Sequence, residues 1–208
     1  MTTLFLTRHA ETVWHAENRY AGLSDVAITV NGHTQARELA GWSATAELDA
    51  IYSSTLSRSV LTATPAVNVT GLPLTQDERL VEVDFGRGDG LTRAEMRERF
   101  PAELDAFLAA PGTTPLPEGE SGSDAVARAL PALDDVCAQH PNGRVLVVMH
   151  STLMRLLLCH LLGLDLNRYR VLFPGVTNAA LTAFRFTPHT DPQLIAFNVP
   201  TDTRTRLG

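Results

Sequence analysis

Leu4-Phe5-Leu6-Thr7-Arg8-His9 and Val145-Leu146-Val147-Val148-Met149-His150 are two short apolar runs, each ending in a histidine. Both have the length and β-branched content of buried strands, and each is followed by a polar turn and a helical pattern. Strands alternating with helices build a parallel sheet, and open parallel sheets bind ligands at the carboxyl ends of their strands. His9 and His150 are therefore expected in one pocket although they are far apart in the chain. Arg8 beside the first histidine points to an anionic, phosphorylated ligand, because a guanidinium fork matches phosphoryl oxygens.

The remaining pattern fits the same architecture. Thr29 is read as opening a helix, Asp49 to Ser53 as a second strand, and the next segment as a helix carrying Arg58, with Pro65 near its end or kinking it. Leu72 to Thr75 is read as a short strand and Leu80 to Phe85 as extended, with a loop over Gly86 to Gly90. Thr92 and Glu95 have capping-box spacing, and Pro101 interrupts or re-angles the helix that they start. Residues 111 to 122 hold three prolines and three glycines and serve as either a linker or a flap. Ser121 caps a helix to about Gln139, two late strands follow at Asn178 to Phe186 and Leu194 to Val199, and the last residues are expected to fray. Residues 1 to 208 thus read as one α/β domain with a short flap or insertion around 84 to 120.

Composition narrows the function. The chain has 208 residues, 44% hydrophobic and 19% charged, enough for one sizeable core. A formal charge of −6 argues against nonspecific nucleic-acid binding. All 17 basic residues are arginine, which removes Lys-based chemistry and the lysine P-loop. Cys137 and Cys159 show no metal or CxxC spacing and fit a reducing cytoplasm. Met1-Thr2-Thr3 lacks the basic start of a secretory leader, and the apolar stretch Leu153 to Leu164, interrupted by Arg155 and His160, is too short to span a bilayer. A cytoplasmic location without membrane association is expected.

Arg58 follows the strand ending in Ser53-Ser54, and Glu82 precedes a glycine-rich loop. Two arginines, two histidines and one carboxylate make a coherent set: cations hold the phosphoryl oxygens, a neutral imidazole attacks phosphorus, and a carboxylic acid protonates the leaving oxygen. The stretches Arg8-His9-Ala10-Glu11-Thr12, Ser53-Ser54-x-x-x-Arg58, Glu82 before Asp84-Phe85-Gly86, and His150 resemble the histidine phosphatase superfamily, the phosphoglycerate mutase-like fold. Trp14, Glu17-Asn18-Arg19-Tyr20, Gly22, Asp25, Gly32, Gln35-Ala36, Gly119-Glu120-Ser121 and Arg128 extend the likeness over residues 3 to about 186. The resemblance implies a three-layer fold with a mostly parallel central sheet flanked by helices. It also implies His9 as nucleophile, Arg8, Arg58 and His150 as phosphoryl binders, and Glu82 as proton donor and later base. No metal and no cofactor is implied.

Three departures from the family pattern stand out. His15 replaces the usual asparagine, whose role is to donate to phosphate, and an imidazole can still donate there with a new pH dependence. Ala10 and Ser151 replace glycines, and Ser151 either contacts substrate or bonds its own backbone. The phosphate- and substrate-binding set is thus Thr12, His15, Gly22 and Ser151. Leu23, Arg87, Arg93 and residues 111 to 118 are further candidates at the mouth, which reads as open and weakly cationic. Val83, Asp84 and Phe85 after the acid, and a short 111–118 loop without arginine, resemble the phosphatase branch more than the mutases. The expected activity is hydrolysis of a small phosphomonoester such as a sugar phosphate. The alternatives are a cofactor-dependent phosphoglycerate mutase-type phosphotransferase and a non-catalytic phospho-ligand-binding protein. The oligomeric state is open, a homodimer included.

Overall fold

A computed structural model of the chain describes residues 1–187 and 190–201. The expectation of fraying at the last residues falls outside them. The elements are β1 (Thr2–Arg8), α1 (Val30–Ser43), β2 (Ala50–Ser53), α2 (Ser57–Thr70), β3 (Leu74–Gln76), α3 (Arg93–Arg99), α4 (Pro101–Ala109), α5 (Gly122–Gln139), β4 (Arg144–Met149), α6 (Ser151–Leu161), α7 (Tyr169–Leu172), β5 (Leu181–Phe186) and β6 (Gln193–Val199). The six strands form one sheet in the order β3-β2-β4-β1-β5-β6. The β3-β2, β2-β4 and β4-β1 pairings are parallel, and β5 and β6 add an antiparallel edge.

Alternation along the strands explains the three layers. Phe5, Ile51, Leu146 and Val148 pack with Leu39, Trp42, Ala63 and Ala66 of α1 and α2 on one face. Leu4, Leu6, Val145, Val147 and Met149 point to the other face, into a core shared with α3 to α7. Both central strands are covered on both faces, which is why they read as unbroken apolar runs. The register pairs Arg8 with Met149, so His9 and His150 leave the sheet side by side at its carboxyl edge.

Several local expectations hold. The Thr29 side chain accepts from the Gly32 N–H, Ser121 from Asp124, and Thr92 and Glu95 form the reciprocal capping box. Two do not. Pro65 lies in the middle of α2, which continues past it to Gly71 in the left-handed region (φ +73°). Leu80 to Phe85 is not a strand. It begins in a 3-10 turn (Glu78–Leu80) and runs on without a ladder partner, because Val81 and Glu82 carbonyls accept from Arg128 (3.2 and 3.4 Å) instead.

Within residues 111 to 122, the 111–118 part packs against the loop that follows Glu82. Leu116 is buried, the Pro117 carbonyl accepts from the Arg87 N–H (2.9 Å), and Glu120 N–H donates to the Asp84 carbonyl (2.8 Å). At Gly86 (φ +50°) a Cβ would stand 2.3 Å from the Pro117 carbonyl oxygen, so the two loops meet backbone to backbone. The segment is a brace behind the Glu82 loop. No helix among the described residues is long and apolar enough to cross a membrane.

Candidate active site

His9 is fixed from three sides. Its N–H continues the β1–β4 ladder to the Met149 carbonyl (2.9 Å), its carbonyl accepts from Asn178 Nδ2 (2.7 Å), and the next N–H, of Ala10, donates to Thr62 Oγ1 (2.8 Å). The ring Nδ1 lies 2.7 Å from the Ala10 carbonyl oxygen. A carbonyl can only accept, so the proton of the neutral ring sits on Nδ1 and the lone pair on Nε2. Burial, then the positive charges of Arg8 and Arg58, hold the His9 pKa well below its usual value. The lone pair is therefore present at neutral pH.

His150 stands with its ring centroid 5.3 Å from that of His9. Its Nε2 is engaged by Ser54 Oγ (2.7 Å) and Ser59 Oγ (3.3 Å), contributed by the turn before α2 and its first turn. Burial and then Arg58 depress its pKa as well. Arg58 is wholly buried, with Nη1 donating to the Ser24 carbonyl (2.7 Å) and Nη2 to that of Gly22 (2.6 Å). Arg8 donates from Nη1 to the Val176 carbonyl (3.0 Å), and burial lowers its pKa to about 10. Arg8 Nε, Arg58 Nε and His150 Nδ1 are buried without a hydrogen-bond partner among the described residues.

Glu82 meets the start of α6. Its Oε1 accepts from the N–H groups of Val83 (3.0 Å) and Leu153 (2.8 Å), and Oε2 accepts from Thr152 (2.9 Å). The positive end of the helix thus orients the carboxylate one residue beyond His150. Arg128 anchors the preceding backbone and is itself paired with Glu120 (2.7 Å). Glu82 interacts electrostatically with Arg8, Arg58 and Arg155.

A cleft of about 490 Å³ opens at this edge. Arg8, His9, Thr12, His15, Glu82 and Ser151 line it, while Arg58 and His150 lie behind its wall. Gly22 does not line it: its N–H donates to Asp89 Oδ1 (2.9 Å), and a Cβ there would come within 3.0 Å of the Phe85 nitrogen and the Val83 carbonyl oxygen. Its expected phosphate contact is replaced by a packing role, with its carbonyl holding Arg58. The Ser151 hydroxyl has no hydrogen bond among the described residues, and the Ser151 carbonyl accepts from Arg155 Nε (3.1 Å). His15 Nε2 faces two donors, Arg8 Nη2 (2.6 Å) and Asn178 Nδ2 (3.3 Å), so it accepts, while Nδ1 lies 2.9 Å from Thr12 Oγ1 and 3.0 Å from the Thr12 N–H. Burial, then Arg8, lowers its pKa to about 4 and keeps it an acceptor.

Leu23, Arg87 and residues 111 to 118 stay off the cleft wall. Arg155 and Arg170, which the sequence reading did not assign, are on it, and with Arg8, Arg19 and Arg93 they make the mouth strongly rather than weakly cationic. Arg155 carried a usable signal. It lies four residues after Ser151 and so shares the face of α6 that starts at the pocket. Arg170 sits in a short helix whose position only the tertiary packing decides.

The neutral histidines make stability depend on pH. Unfolded, His9 and His150 bind protons below about pH 6.5; folded, they do not. The unfolded chain then holds more protons, so stability falls as pH drops below 6.5 and is flat in these groups above it. These two groups alone are expected to lower the urea-unfolding free energy by about 2–3 kcal/mol between pH 7.5 and pH 5.5, and His15 adds to the same slope. A His9→Gln/His150→Gln double variant should lose that share of the slope and keep the share of His15, whose pKa is also lowered, and an undiminished slope would contradict the assignment.

Comparison with known proteins agrees with this geometry. The family described as the histidine phosphatase superfamily (branch 1) matches residues 4–200. Phosphoserine phosphatase 1 of Hydrogenobacter thermophilus is 35% identical over 81% of this chain and 80% of its own. A 2,3-bisphosphoglycerate-dependent phosphoglycerate mutase of Nitratidesulfovibrio vulgaris is 31% identical over 79% of each. The structure of a mycobacterial glucosyl-3-phosphoglycerate phosphatase superposes with a TM-score of 0.85 at 28% identity, covering 95% of this chain and 98% of that one. With its two strand-end histidines, its buried arginines and this similarity over nearly its whole length, the chain belongs to the histidine phosphatase superfamily.

Proposed function

We propose that the protein is a metal-independent phosphomonoesterase that hydrolyses a small phosphorylated metabolite through a phosphohistidine at His9. The observation that carries this reading is the state of His9: a buried, neutral ring with its proton held on Nδ1, beside three buried, unpartnered nitrogens on Arg8, Arg58 and His150. A buried donor without a partner costs about 1–3 kcal/mol, and Arg8, which lines the cleft, would find its acceptor in a phosphoryl oxygen. Arg8 and Arg58 supply the charge that a metal would otherwise supply, and they are pre-oriented by carbonyls rather than neutralised by carboxylates. His15 holds Arg8 in place.

In the first step His9 Nε2 forms a bond to phosphorus, the ester P–O bond breaks, and the leaving oxygen takes the proton of Glu82. In the second, Glu82 removes a proton from water, the water oxygen attacks phosphorus, and the N–P bond breaks. Inorganic phosphate leaves and the His9 lone pair is restored. The relatives named for phosphoserine and glucosyl-3-phosphoglycerate support a small phosphorylated metabolite as substrate.

The mutase-named relative keeps a second reading in view, phosphoryl return to a bound acid. Against it stand the buried apolar Val83 and Phe85 after Glu82, and the 111–118 segment, which contributes no cation to the cleft. Holding a bisphosphate away from water needs more than an open cleft provides. The two readings separate on 3-phosphoglycerate and on p-nitrophenyl phosphate, each with and without 2,3-bisphosphoglycerate and in excess chelator. Phosphate release without the bisphosphate and unaffected by chelator is expected. Rapid bisphosphate-dependent formation of 2-phosphoglycerate with little phosphate would replace hydrolysis by the mutase reading.

Glu82→Gln keeps size and hydrogen bonding but removes the transferable proton. General-acid help is worth about 10²–10⁴-fold, and an aryl leaving group needs little of it. The loss of kcat/KM on an alkyl phosphate should exceed that on p-nitrophenyl phosphate by at least about tenfold. Equal losses would make Glu82 a positioning group only.

A further inference from the structure

Two arginines on the cleft wall have no part in the phosphoryl chemistry. Arg155 on α6 is largely buried and has no carboxylate partner among the described residues, and neither has Arg170 on α7. They are built into one unit. Arg155 stacks over the Tyr169 ring at 4.9 Å, and Arg170 stacks over Phe107 at 4.7 Å while its Nε donates to Tyr169 Oη (2.8 Å). Carbonyls take only part of Arg155: Nε donates to Ser151 (3.1 Å) and Nη1 to Phe173 (3.5 Å). Arg155 Nη2 donates to no group among the described residues, Arg170 bonds only the neutral hydroxyls of Tyr169 and Tyr20, and both side chains face the cleft. Removing a guanidinium from water without an anion is unfavourable, and two such groups side by side compound the cost.

We propose that Arg155 and Arg170 form a carboxylate subsite, so that the substrate is a phosphomonoester of a small carboxylic acid. The inference rests on the phosphatase reading above and names the substrate class of that same site. Arg155 is four residues along α6 from Ser151, about 6 Å along the helix axis. The free Nη2 of Arg155 and the Arg170 guanidinium, which only neutral hydroxyls engage, match two carboxylate oxygens, and the Tyr20 hydroxyl bonded to Arg170 closes the same corner. Glu82 is the one carboxylate on the cleft wall among the described residues, and the N–H groups of α6 already hold it, so it forms no ion pair with these arginines.

The test compares matched pairs that differ only in the carboxylate: O-phosphoserine with O-phosphoethanolamine, and 3-phosphoglycerate with glycerol 1-phosphate. Selectivity is read as kcat/KM, or as the inhibition constant against p-nitrophenyl phosphate where turnover is slow. The wild type should favour the acid of at least one pair by about 10–100-fold, the range of a charge-assisted hydrogen bond. Arg155→Gln and Arg170→Gln should each lower that ratio at least several-fold. A purely structural role would lower both members together and leave the ratio unchanged, which would overturn the subsite. So would a wild type that hydrolyses p-nitrophenyl phosphate yet shows no preference in either pair, or prefers a sugar bisphosphate over its monophosphate without favouring the acids. No hydrolysis of p-nitrophenyl phosphate would instead count against the phosphatase reading itself.

Discussion

The parallel register of β1 against β4 is the constraint on which the rest of the site depends. Arg8 opposite Met149 brings two histidines to adjacent positions at the end of the sheet. The register is held by the cores rather than by the histidines. Leu4 and Leu6 point into one layer and Phe5 into the other, all fully buried, so a slip by one residue would exchange the faces of every side chain. Each large apolar side chain removed from its pocket would cost about 1.5–3 kcal/mol. Catalytic geometry is thus secured by hydrophobic burial several residues away from the chemistry.

The second feature is positive charge kept buried without matching carboxylates. Arg58 spends its Nη donors on the carbonyls of Gly22 and Ser24, and Arg8 spends one on Val176. Main-chain dipoles orient these guanidinium groups but leave their charge uncancelled, so it acts on the neighbouring rings. That charge and burial together keep His9 and His150 neutral, and the same charge favours a phosphoryl dianion. On the proposed reading, the nucleophilicity of His9 and the affinity for phosphate share one electrostatic origin. Glu82 is introduced into this field by a different device, the N–H groups at the start of α6, and its irregular segment is held by Arg128 and the 111–120 brace.

Much of this was legible in the sequence because it was periodic or punctuated. The two apolar runs, the caps at Thr29, Thr92 and Ser121, and the order of the motif residues led to the sheet, its helices and the central set of His9, Arg8, Arg58, Glu82 and His150. What was not legible depends on tertiary contacts without a local pattern. Leu80 to Phe85 alternates like a strand but has its carbonyls claimed by Arg128. Gly22 looks like a phosphate-binding glycine and is instead committed to Asp89 and Arg58. The direction of the His15 hydrogen bond depends on Arg8 and Asn178, the latter distant in sequence. Arg155 was read as a charge interrupting an apolar helix, although its spacing from Ser151 already placed it on the pocket side.

The central claim is that the Nε2 lone pair of His9 becomes the phosphoryl carrier. The most direct test is rapid acid-free quenching of the protein during turnover of a labelled phosphomonoester, followed by peptide mapping. An acid-labile, base-stable phosphoryl group on His9, formed as fast as phosphate is released and absent in His9→Ala together with turnover, is the predicted result. Phosphate release without such an adduct, a label on another residue, or substantial turnover by His9→Ala would contradict the account.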